Sequence, residues 1–336
     1  MKILGIETSC DECAAAVVED GKIIHSNIIA TQIAEHTPFM GVVPELASRL
    51  HTQWIIPTVT EALKEAGVKA VELDAVAVTN RPGLLGSLLV GLSFAKGFAA
   101  TRSLPLLTID HIRAHLYAPQ MEHPLEYPYL GVLVSGGHTV LARVDGYDEV
   151  EVLGTTVDDA IGEAFDKVAK HYGMGYPGGK VIDVLARRGN PVAFLFPGTT
   201  LPNPLDISYS GLKSAVIHQL DKFWDGVSAK SDENIAASFE RAAVNMLTKR
   251  IRLALEETGL KRISAGGGVA ANTYLRTELE AFSAGGYEVS LPSRALCTDN
   301  AAMIGGLAYH YLVDGRTARY SEGAHARVDA FKRNNS

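Results

Sequence analysis

The sequence predicts an α/β protein built from two domains related by duplication, and three observations predict it. The chain opens on apolar stretches broken by polar turns, with Lys2 to Ile6, Cys13 to Glu19 and Ile23 to Asn27 reading as a β-meander. The pattern returns at Tyr129, where YLGVLVSGGHTVLARVDGYDEVEVLG reads strand, Gly/Ser-rich turn, strand, strand. A constant offset sets Ile6 against Leu133, Ser9 against Gly136, Ala15 against Ala142 and Val17 against Val144. A single long-range copy implies two similar domains, since a solenoid needs several short periods. The length of 336 residues fits two domains at about 100 to 200 residues each.

Between the two meanders, apolar residues at Leu46, Leu50, Trp54, Ile55, Val59 and Leu63 make a helical stripe stopped at Gly67. Asp74 to Thr79 reads as a buried strand, NRPGLLG as a turn, and Gly83 to Ala100 as a small-residue helix in close contact with its neighbours. That helix carries Lys96 and several glycines, short of a clean span of about 20 apolar residues. Leu106 to Asp110 is a further strand. After the second meander, 156–249 reads as a mostly helical insertion, followed by a strand near Ile263, the turn GGG and a helix. The last helix, TDNAAMIGGLAYHYLVDG, takes Thr298 and Asp299 as caps. Past Gly315 the chain reads as polar, irregular and only partly ordered, and 326–336 as a flexible tail. The expected domains are therefore 1–128 plus about 298–325, and 129–297.

Composition narrows the function classes. Hydrophobic residues at 47% and charged ones at 21% exclude a disordered, collagen-like or coiled-coil chain. With 31 Lys+Arg against 38 Asp+Glu, the net charge of -7 argues against nucleic-acid binding through an overall positive field and leaves room only for a local patch. Three cysteines are too few for a disulfide scaffold, and the start MKILGIETS has no signal-peptide pattern, so a cytoplasmic protein without a membrane span is expected.

Three turns have the composition of phosphate cradles: Thr8-Ser9-Cys10-Asp11, Ser135-Gly136-Gly137-His138 and Gly266-Gly267-Gly268. Two hairpin turns related by duplication plus a strand-GGG-helix element describe the actin/Hsp70/sugar-kinase (ASKHA) architecture, with a nucleotide and metal cleft between the domains. His111 and His115 stand four apart, a spacing that sets two imidazoles on one helical face for a divalent metal. The alternative is two ordinary surface histidines. The position of the general-base Glu in HExxH holds Ile112, which counts against a zinc peptidase. Cys10-Asp-Glu-Cys13 lies in a hairpin turn and reads as packing; Asp158-Asp159 and Glu163/Asp166/Lys167 read equally as the capped start and salt-bridged face of a helix.

The blocks IETSCDE, GVVPELASRLH, HIRAH, LVSGGHT, DDAIGEAFDKVAK, YPGGKVID, SYSGLKSAV, AGGGVAAN and CTDNAAMI, in this order, resemble the TsaD (Gcp/YgjD) family of tRNA threonylcarbamoyladenosine transferases, up to about Gly315. The resemblance implies transfer of a threonylcarbamoyl group from threonylcarbamoyl-AMP to the N6 amine of the adenosine 3′ of the anticodon, in tRNAs reading ANN codons, with release of AMP. It implies His111, His115 and Asp299 as ligands of one divalent metal, iron or zinc. It implies Val134, Ser135, Gly136, Gly137 and His138 as the substrate-binding hairpin and Asp166, Gly179, Asp183 and Asn272 as nucleotide contacts, in a cleft that ATP or ADP can also occupy. Asp11 or Glu12 is the candidate for the carboxylate that takes the amine proton. Implied partners are tRNA and, in bacteria, a paralogous TsaB-like subunit and a TsaE-like ATPase; some relatives act as homodimers. The chain departs from the family pattern at Met40 and Arg81, where glycine is usual, at Cys13, where Thr is usual, and at Leu133, where archaeal relatives have a tyrosine. An ATP-dependent small-molecule kinase of the same architecture is the competing reading, and the His pair with Asp299 separates the two, because a kinase receives its Mg²⁺ with the nucleotide. Arg81, Arg113 and the basic residues after Gly315 are candidates for a local tRNA patch, unless a partner subunit supplies it.

Overall fold

A computed structural model describes residues 1–328 and Phe331. The chain divides into two compact units, one formed by Met1–Pro124 and residues 292–328, the other by Leu125–Leu291.

The first unit is built on a five-stranded sheet of β1 (Lys2–Glu7), β2 (Glu12–Glu19), β3 (Ile23–Thr31), β4 (Ala75–Arg81) and β5 (Leu106–Asp110), in the order β3-β2-β1-β4-β5. β1 pairs antiparallel with β2 and parallel with β4. Its helices are α1 (Ile33–His36), α2 (Pro44–Glu65), α3 (Leu85–Arg102), α4 (His111–Glu122), α11 (Arg294–Cys297) and α12 (Ala302–Val313). Alternation along the strands decides what packs where. Leu4 and Ile6 of β1, Cys13, Ala15 and Val17 of β2, and Val76 and Val78 of β4 form one apolar cluster with Ile55 and Val59 of α2 and Leu92 and Ala95 of α3. Gly5 faces the other way, against α12, where a side-chain carbon would lie 2.3 Å from the Ala301 carbonyl oxygen and 2.8 Å from the Gly305 nitrogen. Helix and strand backbones are in direct contact there, so only hydrogen fits.

The second unit holds β6 (Tyr129–Val134), β7 (Thr139–Val144), β8 (Val150–Thr155), β9 (Arg262–Gly266) and β10 (Glu288–Ser290) in the order β10-β9-β6-β7-β8, with α5 (Ile161–Tyr172), α6 (Gly178–Ala186), α7 (Ser210–His218), α8 (Leu220–Phe223), α9 (Asp232–Thr258) and α10 (Thr273–Glu280). Read from β8, this is the topology of the first sheet, antiparallel through the hairpins and parallel beyond β6. The offset between the copies is not constant, however. β1 pairs Glu7 with Ala14 across the turn, whereas β6 pairs Val134 with Thr139. The first turn is two residues longer, so equivalent residues of the second strands lie two positions from the sequence alignment; Ala15 corresponds to Val140, and not to Ala142.

Two other expectations need correction. Thr298 and Asp299 do not cap the last helix: Asn300 does so, its Oδ1 accepting from the Met303 N–H at 3.0 Å, while the Asp299 Oδ1 faces His115. The chain past Gly315 is irregular but tied to the first unit, by Ala318 N–H to the Leu106 carbonyl at 2.7 Å and by the Thr108 hydroxyl to Glu322 at 2.7 Å. Of the expected tail 326–336, residues 329–330 and 332–336 lie outside the described residues. Arg81 is exposed, and its guanidinium lies 3.4 Å from the buried Asp110 carboxylate. Met40, at a usual glycine position, adopts the left-handed conformation with φ of 52°, which explains the preference for glycine there. None of the described helices is long and apolar enough to cross a membrane.

Candidate metal centre and substrate loops

In the first unit the centre forms where β1, α4 and the start of α12 converge. Asp110 ends β5 and caps α4, accepting from the Ile112 and Arg113 N–H groups at 2.9 and 3.2 Å. The helix thus begins at His111, and His115 follows one turn later on the same face, the two rings 4.5 Å apart and nearly perpendicular. The Asp299 Oδ1 lies 3.0 Å from His115 Nε2 and 3.6 Å from His111 Nε2. One donor atom from each of the three residues lies within 4.8 Å of the others. Bonds of ~2.1 Å at angles of 90 to 109° would hold donors about 3.0 to 3.4 Å apart, close to both imidazole distances from Asp299.

The donor set fits a metal for a second reason. His111 Nδ1 faces the Glu7 carboxylate at 3.0 Å and the Ser9 hydroxyl at 3.2 Å. A carboxylate on Nδ1 keeps the proton there and leaves the Nε2 lone pair aimed at the Asp299 side, the arrangement that orients metal-bound imidazoles. Glu7 is wholly buried and also accepts from the Thr79 hydroxyl and the Ser9 N–H. Among the protein groups alone, burial pushes His111 down, but the Glu7 and Asp299 carboxylates outweigh it and raise the imidazole to about 9. His115 goes the other way, lowered by burial and by its neighbour His111. Sequence reasoning missed Glu7. The available signal was a carboxylate closing the apolar strand KILGIE, a place that an unpaired acid would not occupy.

The loop of residues 8–11 is held mainly by its backbone. The Cys10 carbonyl accepts from His51 Nε2 at 2.9 Å, the Ser9 carbonyl from the Leu84 N–H at 2.7 Å, and the Asp11 carbonyl from the Gln32 N–H at 3.1 Å. Asp11 is buried and Glu12 half-buried. Burial, and then the adjacent Asp11 carboxylate with Asp299 behind it, pushes Glu12 well above the usual carboxylate range. Cys10 and Cys13 are free thiols, both pushed up by burial, Cys13 to about 12, which makes them unreactive at neutral pH.

In the second unit, the β6–β7 turn is closed by the Ser135 N–H on the His138 carbonyl at 2.8 Å and the His138 N–H on the Ser135 hydroxyl at 3.1 Å. A side-chain carbon at Gly136 or Gly137 would meet nothing within 4 Å, so the turn leaves its backbone open. Val134 supplies the wall behind it: Gly267, with φ of 94°, passes so close that a side-chain carbon would lie 2.4 Å from the Val134 carbonyl oxygen. Asp166 and Gly179 meet at the α5–α6 corner, where the Asp166 carboxylate accepts from the Gly178 N–H at 2.7 Å and Gly179 packs near the Phe165 ring. Asp183 and Asn272 meet at the start of α10. Asp183 accepts from the Thr273 N–H at 3.0 Å and Asn272 from the Leu275 N–H at 2.8 Å. Asn272 also donates to Glu240 at 2.6 Å, a buried carboxyl raised to about 7 by burial and unnoticed in the sequence inside the apolar run of α9. Asp158 caps α7 through the Tyr209 and Ser210 N–H groups, and Asp159 pairs with Lys167 and Lys213.

Comparison with known proteins adds the following. The family model described as TsaD, tRNA N6-adenosine threonylcarbamoyltransferase, matches residues 23–306. The chain is 55% identical over 336 residues to the tRNA N6-adenosine threonylcarbamoyltransferase of Treponema denticola, covering 99% of each chain. Among solved structures it is similar to the T. kodakarensis HypF, with a TM-score of 0.63, 14% identity, and coverage of 93% of this chain and 48% of that one. It is also similar to component A of the Acidaminococcus fermentans (R)-2-hydroxyglutaryl-CoA dehydratase, with a TM-score of 0.56, 16% identity, and coverage of 93% and 99%. At such identities these structures speak to fold alone, and the fold is α/β of the actin/Hsp70/sugar-kinase type.

Proposed function

The chain belongs to the TsaD family of tRNA N6-adenosine threonylcarbamoyltransferases, and from that premise we propose that it is an acyltransferase that modifies tRNA. Its reaction is transfer of the threonylcarbamoyl group of threonylcarbamoyl-AMP to the N6 amine of the adenosine 3′ of the anticodon, in tRNAs reading ANN codons, with AMP leaving. The observation that carries this reading is the His111, His115 and Asp299 cluster with Glu7 behind it. A divalent ion held there, iron or zinc by its two-imidazole, one-carboxylate donor set, would polarise the acyl carbonyl and offset charge on the leaving phosphate.

This chain's residues do the rest. Glu7 holds the His111 ring in orientation, and Asp110 starts the helix that carries both imidazoles. In the second unit, Val134, Ser135, Gly136, Gly137 and His138 present the open backbone turn that suits the adenylate phosphate, while Asp166, Gly179, Asp183 and Asn272 bind its nucleoside. An exocyclic amine is a weak nucleophile and must lose a proton on acylation. Glu12 is the better candidate base than Asp11, because its raised pKa makes its ionised form the stronger proton acceptor.

Glu12→Gln is expected to keep adenylate binding while transfer falls about 10-fold or more. A base works only when ionised, so the unaltered rate rises with pH through the elevated Glu12 pKa, and the variant loses that rise. A variant with the unaltered rate and pH profile would remove Glu12 from the role. The reaction itself is tested by incubating the protein with an adenylate-generating enzyme, threonine, bicarbonate, ATP and tRNA, with and without TsaB-like and TsaE-like proteins, and analysing nucleosides by mass spectrometry. Threonylcarbamoyladenosine is the expected product, and its absence under every combination would overturn the reading.

A further inference from the structure

The Leu125–Leu291 unit carries a second feature, lined by none of the residues proposed for the adenylate. Between α9 and the loop 194–200 is a hollow of about 390 Å³, within the ~300 to 1,000 Å³ of small-ligand clefts. The loop is fastened to the helix at both ends, by the Phe194 N–H on the Ser238 hydroxyl at 3.1 Å and by the Arg250 guanidinium on the Thr199 carbonyl.

Three cations line the hollow: Arg241, Lys249 and Arg250. Arg250 is only 6% exposed, and its recorded partners are neutral carbonyls, those of Asp206 at 3.3 Å and Met246 at 3.5 Å besides Thr199. Arg241 reaches the Pro191 carbonyl at 3.5 Å. Among the described residues no carboxylate pairs with any of the three. A buried guanidinium without a counter-charge is costly, and buried charges are ordinarily paired. Arg241, Asn245 and Lys249 stand at i, i+4 and i+8, one stripe about 12 Å long on α9. Beside it, the Phe194 and Phe196 rings stack at 5.9 Å with planes 11° apart, and Phe196 is half-buried.

We infer that this hollow binds the sugar-phosphate backbone of the RNA substrate, with Phe196 as a stacking surface for a base. The inference rests on the tRNA reading above. Among the described residues the cations lack a carboxylate, and Phe196, backed by the buried Phe194, supplies an aromatic surface beside them for unpaired nucleotides. Leu195, Thr200, Asn245 and Lys249 are exposed at the rim, so a polymer can pass across it. The net charge of -7 gives the chain no general attraction for RNA, which places the burden on a local group of uncompensated cations.

The test uses the full chain carrying Arg241→Glu and Lys249→Glu, with its melting temperature checked against the unaltered protein. Affinity for tRNA is read by fluorescence anisotropy over a series of salt concentrations, and AMP and inorganic phosphate are titrated separately. The expected result is affinity about tenfold lower near 0.1 M salt and a log-log salt slope shallower by about 2, roughly one for each cation lost. The KM for tRNA should rise with the Kd, and Arg241→Lys should retain most of the binding. An unchanged affinity and slope would overturn the inference. Loss of AMP or phosphate binding with tRNA affinity intact would also overturn it, by showing a small-anion site. Failure of the unaltered protein to modify tRNA would sink the transferase reading alone, because the salt slope is a binding measurement and still judges the hollow.

Discussion

Replacing His115 with alanine is expected to empty the metal centre and to lower threonylcarbamoyl transfer by about a thousandfold. The ring is wholly buried, and its Nε2 is 3.0 Å from the Asp299 Oδ1. A metal acting on developing charge contributes several kcal/mol, and ~4 kcal/mol corresponds to about 10³ in rate. Metal content by mass spectrometry should fall in parallel with transfer. A folded variant that keeps its metal and its rate would show that the cluster is structural. Glu7→Gln provides the graded comparison: the ligands remain, the carboxylate on His111 Nδ1 is lost, and metal affinity should fall about 10- to 100-fold.

Gly5→Ala is the second substitution with a large expected effect, through stability. The added carbon would meet the Ala301 carbonyl oxygen and the Gly305 nitrogen, and neither is a side chain that can rotate away. The helix must move off the strand, at a cost of about 3 kcal/mol or more. For a unit of this size that lowers the melting temperature by roughly 6 to 12 °C. Asp299 lies just before α12, so metal affinity should weaken as well. Gly97→Ala is the control, because a side-chain carbon there meets nothing within 4 Å and helix propensity favours alanine by up to ~1 kcal/mol. Equal melting temperatures for the two variants would refute the close-contact argument.

Most of the elements could be read from local pattern, because strand alternation and helical stripes report burial directly. The β-meander from Lys2, the helical stripe from Leu46 to Leu63 and the strand from Leu106 to Asp110 all correspond to elements of the structure. The misreadings share a cause. Thr298 and Asp299 have cap chemistry, but local chemistry does not decide between capping a helix and facing two imidazoles more than 180 residues away; Asn300 took the first task. The chain past Gly315 is polar, yet it is held by hydrogen bonds to β5 and Asn80 that its own composition does not encode. The constant offset failed because a turn can absorb two residues without disturbing the strands on either side.

By itself the sequence determined the α/β class and the twofold repetition of the strand pattern, and it supplied the candidate metal and substrate residues, because these depend on residue type and short spacing. Tertiary structure alone decided what stands behind them. It placed Glu7 on His111, brought Asp299 to within 3.0 Å of His115, left Arg250 buried with no carboxylate partner among the described residues and set Arg81 beside Asp110. Each of these joins groups far apart in the chain, and their energies depend on burial and distance, which exist only once the sheet and its helices have closed around them.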